Sequence, residues 1–138
     1  MTGEKCGSST DHYNRVPEDI GLMKELNVNS YRFGIAWEKI EPEQGKFDEK
    51  VLQHYNDEID MLIAEGIEPM ITLHHFTEPL WFTKLGHFEK EENIKYMLPF
   101  VEKVYEWYGD RVVKWCTINE PEVFAIQGII YIYVCIYT

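Results

Sequence analysis

Amphipathic stretches alternate along the chain with short runs rich in β-branched and aromatic residues. The amphipathic stretches have apolar positions three and four residues apart, which predicts helices near residues 17–26, 49–65 and 91–108. The runs that follow them, "SYRFGIAW", "IEPMITLHHF" and "RVVKWCTINE", predict strands near residues 30–37, 68–75 and 112–119. Asp48 is a plausible N-cap of the second helix, and Gly66 is its expected stop.

This order of elements predicts an α/β fold. Apolar strands separated by amphipathic helices imply right-handed crossovers and a parallel sheet. In such sheets the functional side chains lie at the C-terminal ends of the strands. The three predicted strands end in Trp37-Glu38, His74-His75 and Asn119-Glu120. These ends predict a functional site on one rim of the sheet, although strand ends are also polar in many proteins without a site there.

Composition narrows the classes of partner. The chain has 138 residues, enough for one domain with a core, and its 24 acidic against 13 basic residues would repel a phosphate backbone. We therefore expect no nucleic-acid partner.

Three cysteines, Cys6, Cys116 and Cys135, are too few and too scattered for a disulfide framework or a zinc cluster. No apolar segment follows a basic start at Met1, so we expect a reduced, cytoplasmic protein without a membrane partner.

Glu120 is the sharpest candidate for chemistry. A carboxyl at the mouth of an apolar sheet is partly desolvated, which disfavours its charged form and suits it to act as a general acid. The neighbouring Asn119 could hydrogen-bond a substrate hydroxyl. The alternative is that Glu120 is a loop acid that caps the next helix.

The histidine pair and Arg32 each allow two interpretations. His74 and His75, with Glu78 and Glu120, invite a metal site. Adjacent residues on a strand point to opposite faces, however, so the two histidines cannot easily share one ion, and we expect no metal or other cofactor. One histidine should face the cleft while the other packs outside it. Arg32 is either a surface guanidinium or, flanked by Tyr31 and Phe33, a buried partner of a carboxylate.

Several segments together resemble one family, glycoside hydrolase family 1, the retaining β-glucosidase and 6-phospho-β-glucosidase group. The resemblance covers residues 11 to 128 and includes a Thr-x-Asn-Glu-Pro motif at residues 117–121. The matching segments are "DHYNRVPEDIGLMKELNVNSYRFGIAW", "IEPEQGKFDEKVLQHYNDEID", "GIEPMITLHHFTEPLWF" and "GDRVVKWCTINEP". The resemblance implies a partial (β/α)8 TIM barrel, about strands 2–4 with their helices, and a β-glycoside or oligosaccharide substrate.

The same resemblance implies roles for individual residues. Glu120 would be the acid/base that protonates the departing glycosidic oxygen and later activates the water that releases the sugar. Asn119 would bind the sugar 2-hydroxyl, His75 would contact the glycone, and Arg32 would lie near the nucleophile. Trp37 and Trp81 are candidate cleft residues, although core packing explains Trp37 equally well.

The chain also departs from the family pattern. No counterpart of the family's first strand is recognised in residues 1–10, which we expect to be disordered or residual. The family's nucleophile motif, Thr-Glu-Asn-Gly, is missing from the sequence, so no nucleophile is assigned and we expect the chain to be inactive alone. Gly34 stands where the family usually has Ser. Residues 129–138 form an apolar tail that is too short for a membrane span of about 20 residues.

Two other functions stay open on the sequence. One is a non-catalytic carbohydrate-binding or split-barrel partner that completes a second chain. The other is a metal-dependent barrel hydrolase. Self-association through open sheet edges is a further expectation.

Overall fold

A computed structural model describes residues 7, 9–123 and 125–126. Its centre is a sheet of three parallel strands in the order β1-β2-β3. The strands are β1 (Ser30–Gly34), β2 (Glu68–His74) and β3 (Lys114–Ile118). Across the sheet Gly34 pairs with Thr72 and Thr72 pairs with Cys116. The predicted α/β fold with a parallel sheet is therefore confirmed.

Up to the end of β3, the described residues form five α-helices that connect and flank the strands. They are α1 (His12–Glu25), α2 (Trp37–Ile40), α3 (Glu49–Ala64), α4 (Leu80–Leu85) and α5 (Ile94–Tyr108). Two 3₁₀ turns, His87–Glu89 and Glu91–Asn93, lie between α4 and α5. The predicted cap of α3 is confirmed, because Oδ1 of Asp48 accepts hydrogen bonds from the backbone N of Lys50 and of Val51.

Two elements differ from the sequence prediction. Helix α1 begins at His12, before the predicted start, because a short helical segment joins it across a kink at Arg15 (φ −120°, ψ 18°). Strand β1 ends at Gly34, and the prediction that it reaches Trp37 is wrong, since Trp37 begins α2. Tertiary packing explains the second difference: the Trp37 ring stacks on Phe100 at 5.2 Å between centroids and is 1% exposed.

One apolar core lies between the sheet and the helices. Alternate strand residues such as Phe33, Ile71 and Leu73 face the helices, so each strand buries one side against them. The largest fully buried side chains are Trp37, Tyr108, Phe82 and Phe100. The opposite side of the sheet carries Arg32, Thr72 and Cys116.

The expected segments at the two termini are outside this description. Residues 129–138 and most of residues 1–10 lie beyond the described residues, so the predicted domain limits stay predictions. No helix within the described ranges has the length and apolar character that crossing a membrane requires.

Candidate active site

A hydrogen-bonded chain crosses the side of the sheet that carries Arg32, Thr72 and Cys116. Nε of Arg32, on β1, donates to Oγ1 of Thr72 on β2 at 2.8 Å. Nη2 of Arg32 donates to Oδ1 of Asn119, just after β3, at 2.6 Å. The same nitrogen lies 3.6 Å from Sγ of Cys116. Three neighbouring strands thus hold one guanidinium between them, and Arg32 and Asn119, two of the sequence-predicted site residues, are in contact.

Arg32 is an exposed side chain whose partners in the described residues are uncharged. Of the two interpretations of Arg32, the described residues agree with the surface guanidinium, and its place near the nucleophile stays a prediction. An exposed guanidinium keeps much of its hydration, so its charge does not require a buried carboxylate.

Asn119 is held by its backbone as well as by its side chain. Its backbone N donates to the carbonyl oxygen of His74 at 2.9 Å, which continues the pairing of β2 with β3 beyond the end of β3. The residue is 8% exposed. The amide group therefore has a defined place at the carboxyl end of the sheet, next to the residues that follow His74.

The two histidines at the end of β2 have different surroundings. His74 is buried, with its ring edge against Phe88 at 5.3 Å, whereas His75 is exposed. The Cβ of His75 would lie 3.7 Å from a Cβ added at Gly34, so His75 sits over the end of β1. This arrangement agrees with the view that only one histidine of the pair faces open space at the strand ends.

Glu120 is exposed at the carboxyl end of β3. Its φ of 44° is left-handed, a conformation that costs a non-glycine residue on the order of 1–2 kcal/mol. Such outliers cluster where the backbone must aim a side chain at a particular place. The sharp turn directs the chain from β3 into the helical residues that begin at Pro121.

Trp37 and Trp81 belong to a separate cluster around Glu41. Nε1 of Trp37 donates to Oε2 of the buried Glu41 at 2.7 Å, and Nε1 of Trp81 donates to the carbonyl oxygen of Glu41 at 3.0 Å. The two indole rings meet edge to face at 5.8 Å. Trp37 is thus part of the core, and the structure brings neither ring into contact with Arg32 or Asn119.

A cavity that sequence reasoning missed lies beyond the end of β2. It has a volume of about 690 Å³. Glu78 lines it, 7% exposed in its side chain, and accepts a hydrogen bond from Thr83 at 3.2 Å while contacting Nδ1 of His87. Glu38 also lines this cavity. Little in the sequence indicates this cavity, because His87 belongs to a segment that the hydrophobic pattern predicts to be a loop.

The described residues contain no group of three or more His, Cys, Asp or Glu side chains arranged to hold a metal ion. His74 and Glu78, from the suggested metal set, are 3.7 Å apart at Nε2 and Oε2.

Comparison with known proteins decides the family. Residues 2–135 match the family described as "Glycosyl hydrolase family 1". The chain belongs to glycosyl hydrolase family 1. The resemblance seen in its motifs is therefore confirmed.

Two curated proteins illustrate the similarity. Beta-glucosidase A of Thermotoga maritima is 38% identical over 130 residues, which cover 94% of this chain and 29% of that protein. The 6-phospho-beta-galactosidase of Clostridium acetobutylicum is 38% identical over 124 residues, covering 89% of this chain and 26% of that protein. The chain thus spans less than a third of the length of either relative.

Solved structures confirm the fold. A beta-glycosidase from Pyrococcus horikoshii superposes with a TM-score of 0.82 at 44% identity, over 86% of this chain and 28% of that one. A family 1 β-glucosidase from Thermotoga maritima superposes with a TM-score of 0.83 at 40% identity. The three parallel strands and their helices therefore match part of a family 1 TIM barrel, as the sequence predicted.

Proposed function

We propose that this chain is the part of a retaining β-glycosidase that carries the acid/base carboxyl, Glu120, together with Asn119 and His75 as sugar contacts. The supporting observation is the 2.6 Å hydrogen bond from Arg32 to Asn119 immediately before Glu120, at the carboxyl ends of three parallel strands. Active sites of (β/α)8 barrels lie on this face. The β-glucosidases among the relatives favour a β-glycoside as the substrate.

The chemistry assigned to Glu120 has two steps. In the first its carboxylic acid protonates the glycosidic oxygen as the bond to the sugar breaks. In the second its carboxylate removes a proton from the water that releases the sugar. The exposed position of Glu120 leaves room for both a leaving group and a water molecule beside it.

The second carboxylate is the reason for expecting no activity from this chain alone. A retaining glycosidase needs a nucleophile about 5 Å from the acid/base. General acid catalysis by itself contributes only about 10²–10⁴-fold to the rate. Because the chain spans 29% of the Thermotoga maritima relative, we propose that the nucleophile is supplied by another part of a complete barrel.

Hydrolysis of an activated aryl β-glucoside tests the proposal. The chain alone should release no aryl alcohol above the buffer rate. Addition of a separately produced segment of a family 1 enzyme that holds the remaining strands should produce activity. Glu120→Gln should abolish that activity, while Glu122→Gln, which changes an exposed acid two residues away, should leave it within about twofold.

Other outcomes would contradict particular parts of the proposal. Activity of the chain alone that Glu120→Gln removes would mean that a nucleophile is present in it, with Glu38 and Glu78 as the first candidates because both line the nearby cavity. Activity of the assembled barrel that survives Glu120→Gln would show that Glu120 is not the acid/base.

A further inference from the structure

The contact between Arg32 and Asn119 determines which way the Asn119 amide points. A guanidinium has only donors, so the side-chain atom of Asn119 that faces it must be the oxygen. In the structure it is Oδ1 that lies 2.6 Å from Nη2 of Arg32. The amide nitrogen, Nδ2, is then turned away from Arg32 and is the donor that Asn119 can offer to a ligand.

Arg32 needs support to hold that amide. It is a long, exposed side chain with several rotatable bonds, and such a chain loses conformational entropy when it is fixed. Thr72 provides a fixed partner, since its Oγ1 accepts from Nε of Arg32 at 2.8 Å. Thr72 is 1% exposed on the central strand, and β-branching restricts the rotation of its hydroxyl-bearing carbon.

We propose that Thr72 is a positioning residue: its hydroxyl fixes the Arg32 guanidinium, which sets the Asn119 amide so that Nδ2 is presented to an oxygen acceptor of the substrate. This inference rests on the proposed function and adds a requirement for the ligand. The group opposite Asn119 must accept a hydrogen bond, as a sugar hydroxyl does. A protonated amine at that position would place donor against donor.

Arginine Nε–H resonances in the ¹⁵N-labelled full chain provide a direct test. The sequence has three arginines, so Arg15 and Arg111 serve as internal references and Arg32→Lys identifies the Arg32 signal. In the wild type the Arg32 Nε proton should exchange with water about tenfold or more slowly than that of free arginine. Thr72→Val, which removes the hydroxyl but keeps the shape, should restore fast exchange and shift the Asn119 Nδ2 signals. Thr72→Ser should retain the wild-type behaviour.

A different hydroxyl serves as the matched control. Oγ of Ser30 donates to the carbonyl oxygen of Glu68 at the other end of the same strand pair, so Ser30→Ala should leave the Arg32 exchange rate unchanged. Wild-type exchange as fast as that of free arginine would overturn the proposal without any variant, even if Thr72→Val failed to fold. Unchanged Arg32 and Asn119 signals in folded Thr72→Val would overturn it as well.

Titration with methyl β-glucoside separates this proposal from the function on which it rests. Wild-type chain assembled with the separately produced segment that holds the remaining strands should show shifts of the Asn119 Nδ2 signals as the sugar is added, and Thr72→Val should weaken binding about tenfold. No binding to the assembled wild type would count against the proposed function. An unaltered affinity in Thr72→Val, with the sugar bound by the wild type, would count against the positioning role alone.

Discussion

Nε2 of His12, in α1, lies 3.1 Å from Oε1 of Glu58, a carboxylate that α3 holds 2% exposed. Nδ1 of the same ring lies 2.5 Å from Oδ2 of Asp19. The His12 imidazole therefore contacts one acid on its own helix, Asp19, and one acid on α3, Glu58. Burial would lower the pKa of His12, but the hydrogen bonds to Asp19 and Glu58 outweigh it and raise the pKa above 6.5. Burial raises the pKa of Glu58 above 4.5, even though His12 opposes that shift.

The raised pKa values of His12 and Glu58 predict that the free energy of unfolding falls as the pH rises. A group whose pKa is raised in the folded state stabilises it below the unfolded pKa, and that stabilisation is lost as the pH rises through the folded value. For His12 the loss begins near pH 6.5, and the raised pKa of Glu58 has the same sign. Urea unfolding at a series of pH values should show the decline, and His12→Gln should flatten it above pH 6.5.

His54 is the matched control for this pH dependence. Burial, followed by the charge of Lys39, lowers the pKa of His54 below 6.5. Its contribution to stability has the opposite sign: it increases as the pH rises through the lowered pKa and is fully present above pH 6.5. His54→Gln should therefore make the decline steeper below pH 6.5 and leave it unchanged above that pH. A flatter profile in His54→Gln than in His12→Gln would contradict the assignment.

Glu41 should be among the most sensitive residues of the fold. Its Oε2 accepts from Nε1 of Trp37 and its Oε1 accepts from the backbone N of Gly45, both at 2.7 Å. Glu41→Ala leaves two donors without their charged acceptor and should cost about 2–4 kcal/mol in free energy of unfolding. Glu43→Ala, which removes an exposed partner of Lys46, should cost less than about 1 kcal/mol by the same urea measurement. Equal losses in the two variants would contradict the role of Glu41.

Gly34 and Gly66 should respond to alanine in opposite directions. A Cβ at Gly34 would meet the Cβ of His75 at 3.7 Å, an ordinary contact, and the backbone there is not left-handed. Gly34→Ala should raise the free energy of unfolding by about 0.5–1 kcal/mol, because it reduces the freedom of the unfolded chain. Gly66 has φ 73°, so Gly66→Ala should lower stability by about 1–2 kcal/mol although there is space for the methyl group. Thermal unfolding of both variants checks the signs.

The two outer strands should promote association of copies of the chain. Among the described residues β1 and β3 each pair only with β2, so their other edges present unpaired backbone groups. Val113, 76% exposed beside β3, adds apolar surface at that edge. Sedimentation velocity should show oligomers at higher concentration, and Val113→Lys should weaken association by about tenfold.

Leu26→Lys is the control for this measurement. Leu26 is also 76% exposed but is the C-cap of α1 and does not belong to a strand. The substitution should leave association nearly unchanged. A wild-type chain that sediments as a monomer at every concentration would contradict the prediction, and equal effects of the two lysines would point to general surface hydrophobicity instead.

Local chemistry made much of the fold predictable. The cap at Asp48, the stop at Gly66 and the apolar stripe of α5 are determined by residues close in sequence. The end of β1 was not predictable in this way. Trp37 has a side chain that suits a strand, but its burial against Phe100 and its bond to Glu41 place it in a helical turn instead.

The sequence by itself determined the order of helices and strands, the parallel sheet and the family, because apolar periodicity and the Thr-x-Asn-Glu-Pro motif are local properties of the chain. Tertiary structure decided which polar residues meet. Thr72 gave no signal in the sequence, and Arg32 and Asn119 are 87 positions apart. Their contact depends on the register of three strands, and a shift of one residue would turn these side chains to the other face of the sheet.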